Sequence, residues 1–245
     1  MKEIYEELFI NLPKCGPGSE QSIRKAYKFL DELPEQPKIL DIGCGTGMQT
    51  IELAKLSEGR IYAIDIFQSY LDKLLKTSKQ ENVHEQIQVF NKSMKSLDFD
   101  NDFFDVIWSE SSIFIIGFEK GLKEWKKFLK KKGYLVISEL IWFKEQRPLE
   151  VEEFWAKEYP DIKLHEENLQ IIETIGYNLI ATFNLKDNEW WENLYNPLEK
   201  KMIKLKKKYD NDPEIKEFLE KQQKEIDLFR KYSNYYGYCY YILRK

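Results

Sequence analysis

Cysteine, histidine and arginine are all scarce in this chain of 245 residues. The three cysteines (Cys15, Cys44, Cys239) form no CxxC pair, and the two histidines, His84 and His165, lie far from any of them in sequence. A zinc site of the Cys/His type and a disulfide framework are therefore excluded as expectations, and no metal is assigned. So sparse a cysteine content suits a reducing cytosol, the compartment expected for the chain. Only five of the 38 basic residues are arginine, and 42 acids leave a net charge of -4. A nucleic-acid binder would show a basic excess and arginine forks, so no nucleic-acid partner is expected. Long apolar runs are also missing. The most apolar stretch, Tyr134 to Phe143, is ten residues long and contains Ser138 and Glu139, well short of the ~20 residues of a membrane span. No signal-peptide order is visible at the N-terminus, and no membrane partner is expected.

What is present is a core. Hydrophobic residues make up 42% and aromatic residues 15% of the chain, enough for a folded domain. Helical spacing marks residues 1–15, then Glu20 to Leu33 behind a capping Ser19. From Lys38 onward, short apolar runs alternate with helical stretches. The runs are Lys38–Ile42, Arg60–Ile66, Ile87–Asn91, Phe104–Ser109 and Gly133–Ile141. The helices between them are Thr46–Leu56, Phe67–Gln80 and Glu119–Lys131. This rhythm predicts a doubly wound α/β fold with a mostly parallel sheet, whose ligands bind at the carboxyl ends of the strands. Tyr177–Leu185 and Tyr235–Leu243 read as two further strands around a charged, aromatic, helix-prone insertion. The expected organisation is an N-terminal helical cap (1–37), a cofactor-binding core (38–185), an insertion (186–231) that is a lid or a dimer surface, and a final core strand (232–245). The aromatic final strand either lies at an exposed edge and pairs across a homodimer or is covered by the insertion.

The most informative segment is Ile39-Leu40-Asp41-Ile42-Gly43-Cys44-Gly45-Thr46-Gly47. A strand runs into three glycines at alternate positions and then into a helix, the arrangement that lets backbone N–H groups approach a ligand. The dinucleotide fingerprint G-x-G-x-x-G/A requires a small residue where Met48 stands, so the loop does not fit a nicotinamide enzyme. Asp65 ends the second strand, where a carboxylate can accept both hydroxyls of a ribose.

These segments resemble the first motif and the second-strand acid of the class I, Rossmann-like, S-adenosylmethionine-dependent methyltransferases. Phe104 to Ser109 and Leu129 to Leu135 are similar to that family's fourth- and fifth-strand motifs. The resemblance implies a seven-stranded sheet with an antiparallel last strand. It also implies S-adenosylmethionine as cofactor and S-adenosylhomocysteine as its product. Carried onto this chain, it places Asp41, Gly43, Cys44, Gly45, Gly47, Asp65, Ile66 and Ser109 at the cofactor, with Ser93 and Met94 at the adenine ring. The family often has an acid after the third strand, and this chain has Lys92 and Ser93 there. Glu110, just past the fourth strand, is the candidate catalytic residue, with Glu139 a second acid. Trp108, Phe114, Trp142, Phe143, Trp155, Tyr159, Trp190, Trp191 and Tyr195 are the aromatic residues expected around the acceptor. The function expected is methyl transfer to a small-molecule amine, hydroxyl or ring acceptor in a closed aromatic pocket. Two alternatives stay open: a tRNA or protein methyltransferase docking through the lysine-rich Glu199–Asp210 stretch, and a non-catalytic cofactor binder.

Overall fold

The computed structural model describes all 245 residues. Eight strands form one sheet: β1 Lys38–Ile42, β2 Arg60–Asp65, β3 Ile87–Asn91, β4 Phe104–Glu110, β5 Leu129–Trp142, β6 Lys163–Leu164, β7 Asn178–Asn184 and β8 Tyr236–Arg244. Their order is β3-β2-β1-β4-β5-β8-β7, with the two-residue β6 beside the end of β5. All pairings are parallel except those of β8, which runs antiparallel to both β5 and β7. The mostly parallel seven-stranded sheet with an antiparallel last strand is thus present. The order in which strands are added reverses between β1 and β4, and there the crossovers diverge and leave a crevice at the carboxyl ends of the strands.

Ten helices flank the sheet. α1 (Lys2–Phe9), α2 (Glu20–Tyr27) and α3 (Met48–Leu56) are followed by α4 (Gln68–Gln80), α5 (Phe118–Trp125), α6 (Leu149–Glu158) and α7 (His165–Ile175). The insertion supplies α8 (Asp187–Trp190), α9 (Asn196–Lys208) and α10 (Pro213–Tyr232), with a π turn at Trp191–Tyr195 between the first two. β5 explains the two-sided cover: Val136, Leu140 and Trp142 face one apolar cluster and Leu135, Ile137 and Ile141 the other. A sheet buried on both faces needs such a continuous apolar strand.

Where element limits differ from the sequence reading, the backbone gives the reason. α3 starts at Met48 rather than Thr46 because Gly47 still holds φ +96°. α2 stops at Tyr27 because the next turn tightens, with Phe29 and Leu30 bonded back to Ala26 and Tyr27. β5 begins at Leu129, before a kink at Lys132 (φ +64°), so the strand reaches into residues that read as helix. Ser19 does cap α2, its hydroxyl accepting from the N–H of Ser22.

The insertion packs into the body of the sheet. Trp190 stacks on Phe229 of α10 with ring centres 4.2 Å apart and reaches Tyr238 of β8 at 5.4 Å. α9 also meets α1, where Lys208 and the Tyr209 hydroxyl both donate to Glu7 at 2.7 Å. No helix is long and apolar enough to cross a membrane.

One buried acid belongs to this framework. Glu139 of β5 accepts a hydrogen bond from the Tyr159 hydroxyl at 2.5 Å, while its other oxygen has no partner. Burial pushes its pKa up to about 8, against the opposing pull of that hydrogen bond.

Two measurements test this account. Trp190→Ala should lower the unfolding free energy by about 3–5 kcal/mol, the range for emptying a large aromatic site. The loss should appear in a single denaturant transition, because the insertion and the sheet share one core. The pH dependence follows from Glu139. Between its ordinary pKa and about 8 the folded chain keeps a proton that the unfolded chain releases, so stability falls as pH rises through that window and levels off above it. One such group contributes at most about 1.4 kcal/mol per pH unit. Glu139→Gln still accepts from Tyr159 and carries no titratable proton, so its stability profile from pH 5 to 8 should be flatter than the wild type's.

Candidate functional site

The loop after β1 carries three left-handed glycines, Gly43 (φ +74°), Gly45 (φ +52°) and Gly47 (φ +96°). Close packing requires two of them. A Cβ on Gly43 would lie 2.6 Å from the Ser112 hydroxyl, and one on Gly47 would lie 2.3 Å from Leu74 of α4. Gly43 and Cys44 donate their N–H groups to the Ile64 carbonyl at 2.9 and 3.0 Å, which fastens the loop to the end of β2. The Cys44 side chain is buried, and burial raises its thiol pKa.

Asp65 closes the same corner. One of its oxygens accepts from the N–H of Gly45 at 2.9 Å and the other from the N–H of Phe67 at 3.0 Å. Burial raises its pKa, and the backbone N–H groups of Phe67, Gly45 and Ile66 oppose that shift. Beside it Ile66 is 51% exposed and offers an apolar surface on the cavity wall. Ser93 and Met94 follow β3, and the Ser93 hydroxyl accepts from the N–H of Lys95 at 3.2 Å. The Lys92 ammonium is paired with Asp98.

These residues line one cavity of about 750 Å³ at the carboxyl ends of β1, β2, β3 and β4. Glu110, Ser111, Ser112, Phe114 and Ile115 form its wall past β4. The N-terminal segment contributes Tyr5, Lys14 and Cys15, and α10 contributes Phe218, Lys221 and Gln222. Tyr5 stacks against Phe67 at 5.8 Å and leans on Phe218 at 6.3 Å, so the two ends of the chain meet over the site.

Of the residues singled out from sequence, Gly43, Cys44, Gly45, Gly47, Asp65, Ile66, Ser93, Met94 and Glu110 are brought together on this wall. Asp41 and Ser109 stand one layer behind it, both wholly buried. Thr50 and Gln49 donate to Asp41 at 2.5 and 3.4 Å, and burial pushes its pKa up to about 7. Ser109 is bonded to the Ser112 hydroxyl at 2.7 Å, and Ser112 donates to the Ile42 carbonyl at 3.0 Å.

Glu110 is held on both sides. Lys14 approaches one oxygen at 2.7 Å and the indole N–H of Trp108 donates to the other at 2.6 Å. The Lys14 and Glu110 side chains are 5% and 0% exposed. Lys14 also donates to Gln49 at 3.2 Å, and Gln49 in turn donates to the Cys44 carbonyl at 3.2 Å. The turn that brings Lys14 here depends on close approach, since a Cβ on Gly16 would meet Ser111 at 2.8 Å. Ser111 itself is left-handed (φ +51°), a conformation that costs a non-glycine residue about 1–2 kcal/mol and recurs at functional sites.

The aromatic residues expected at the acceptor need correction. Phe114 alone of them lines the cavity. Trp108, Trp142, Trp155, Tyr159, Trp190 and Tyr195 are core residues. Phe143 and Trp191 are also off the cavity wall and pack against the core. The rings at the site are Tyr5, Phe67, Tyr70, Phe114 and Phe218. Near the carboxyl ends of the strands the large tryptophan rings serve packing instead. Phe67, two residues past Asp65, carried a positional signal; Tyr5, Lys14 and Phe218 carried none.

Three comparisons bear on this geometry. Residues 39–133 match the family model described as a methyltransferase domain. A sarcosine/dimethylglycine N-methyltransferase from Aphanothece halophytica is 27% identical over 127 residues, which are 50% of this chain and 46% of that protein. A ribosomal protein L11 methyltransferase from Thermosipho melanesiensis is 28% identical over 57% of this chain and 53% of its own length. The chain thus spans about half the length of these curated relatives. In fold the likeness extends throughout. The crystal structure of a SAM-dependent methyltransferase from Geobacter sulfurreducens, in complex with S-adenosyl-L-homocysteine, superimposes with a TM-score of 0.85 at 16% identity, covering 99% of this chain and 98% of that one. Residues 39–133 are thus a methyltransferase domain by sequence, carried on a sheet with the class I, Rossmann-like fold.

Proposed function

We propose that the chain transfers the methyl group of S-adenosylmethionine to a small-molecule acceptor. The observation that carries this reading is the corner of the cavity where the Asp65 carboxylate lies beside the half-exposed Ile66 and the Met94 side chain. A carboxylate next to two apolar side chains fits a ribose joined to a flat purine. When bound, the cofactor supplies a methyl group on a positively charged sulfur, ready for in-line displacement. The chain's own residues bind, orient and exclude water.

In this assignment Asp65 accepts the ribose hydroxyls, and Ile66 and Met94 enclose the purine with Ser93 at its edge. The backbone of Gly43, Cys44, Gly45 and Gly47 runs beside the rest of the cofactor. Asp41 and Ser109 act from behind, by fixing Gln49, Thr50 and Ser112. Glu110 acts at the acceptor end as one half of an ion pair, not as a free base, because both of its oxygens already accept hydrogen bonds. Phe114 and Ile115, 39% and 49% exposed on the cavity wall, favour an acceptor with an apolar body. Residues 1–37 and 186–231 together form the lid, through Tyr5 and Phe218. The N-methyltransferase named among the relatives supports a small acceptor, while the ribosomal-protein enzyme keeps a macromolecular one in view.

The test is thermal denaturation with S-adenosylmethionine, S-adenosylhomocysteine and NAD at matched concentrations. A ligand at 100 times its Kd adds about 2.7 kcal/mol, or roughly 5–10 °C for a domain of this size. Both sulfur ligands should give that shift and NAD none. Asp65→Ala should bind S-adenosylhomocysteine at least about tenfold more weakly, having lost a charge-assisted hydrogen-bond acceptor. A shift with NAD alone, or with none of the three, would sink the reading.

A further inference from the structure

We infer that Lys14 receives the α-carboxylate of the cofactor's amino-acid end. This rests on the cofactor reading of the cavity and assigns a residue within it.

An ammonium has three N–H donors. Lys14 spends one on Glu110 and one on Gln49, at 2.7 and 3.2 Å, and the third has no protein partner. The side chain is nine-tenths buried yet belongs to the cavity wall, so a ligand that fills the cavity meets a cation with one donor unspent. The ammonium is also fixed in place. Trp108 pins Glu110, and Gln49 is tied to Asp41 and to the Cys44 carbonyl. Gly18 (φ +132°) leaves the room the lysine stem occupies, since a Cβ there would lie 2.9 Å from its Cε. A fixed donor loses little freedom when a carboxylate arrives.

Charge narrows the choice further. The amino-acid end of the cofactor is a zwitterion, and its carboxylate would be matched by a buried cation on the cavity wall. The other lysines on the wall are placed for other work. Lys92 pairs with Asp98, Lys221 pairs with Glu158, and Lys2 lies over the Phe67 ring at 5.4 Å. Lys95 stands beyond Ser93, at the opposite end from Glu110. No arginine lines the cavity. Lys14 is the buried cation at the Glu110 end.

The assignment links ligand and lid. Lys14 lies between α1 and α2, and the same turn is held to the insertion: Gly18 donates to the Glu189 carbonyl and accepts from the Asn193 amide at 2.8 Å. A carboxylate on Lys14 would therefore add to the contacts that already hold cap and insertion together.

S-Adenosylmethionine and its decarboxylated form differ by that one carboxylate, so their affinities, measured by titration calorimetry, isolate it. Removing Lys14 alone would leave Glu110 buried and unpaired, so the comparison is made in the Glu110→Gln background. Adding Lys14→Met to that background should weaken S-adenosylmethionine binding about 10- to 100-fold, the effect of one charge-assisted hydrogen bond. Binding of the decarboxylated compound should stay within about twofold. Equal losses for the two ligands would make Lys14 a structural residue and overturn the inference, as would no loss for either. Wild-type protein that binds neither ligand would instead overturn the cofactor reading beneath it.

Discussion

The ion pair between Lys14 and Glu110 is the joint on which the site depends. Burying two charges is costly, and such a pair typically contributes little net stability compared with apolar residues in the same space. What it does is fix position. Losing either partner leaves an uncompensated buried charge at a cost of about 3–5 kcal/mol, so the N-terminal turn has one resting place on the end of β4. Gly16 and Gly18 pack without a Cβ to reach it, and Ser111 accepts a left-handed backbone beneath it. The Asp41–Gln49 link carries the same constraint back into the sheet. An anion and a cation thus sit fixed side by side on the wall of the cavity, at the end of β4.

The glycine loop shows how packing and binding can use the same residues. Gly43 yields space to Ser112 and Gly47 to Leu74, both from the chain itself. Those contacts set the path of the loop, and the path places its N–H groups. One of them, from Gly45, fixes the Asp65 carboxylate. The loop and the acid are therefore a single hydrogen-bonded unit spanning β1 and β2, held by the chain's own contacts.

Much of this was legible in the chain because it is local. Strand, glycine loop and helix from Ile39 to Leu56 occur in consecutive residues, and Asp65 follows at the end of the next strand. Alternating apolar runs disclosed the parallel sheet, and the tyrosine-rich end disclosed β8. Long-range partners were not legible. Lys14 reads as an ordinary surface lysine until it meets Glu110, 96 positions away. Tyr5 and Phe218 become a roof only because α1 and α10 are neighbours in space. The tryptophans misled for the reverse reason: near the carboxyl ends of the strands they resembled ligand rings, yet Trp190 has Phe229 and Tyr238 to cover it. α6 and the two-residue β6 followed no strong periodicity, and packing against β5 and Tyr236 defines them.

The place of β8 in the sheet has a consequence for how the chain is assembled. It is the latest strand in the sequence and lies between β5 and β7, pairing with β5 along its full length and with β7 over Cys239 to Arg244. Until it arrives, β5 presents an open edge rich in apolar side chains and β7 has no neighbour at all. Pairings that span more than a hundred residues, such as Tyr134 with Arg244, close slowly because a long loop must be ordered first. Between the synthesis of β5, which ends at Trp142, and of β8, which begins at Tyr236, the growing chain therefore carries a sticky, half-built sheet. Chaperone demand in the cell should concentrate in that interval.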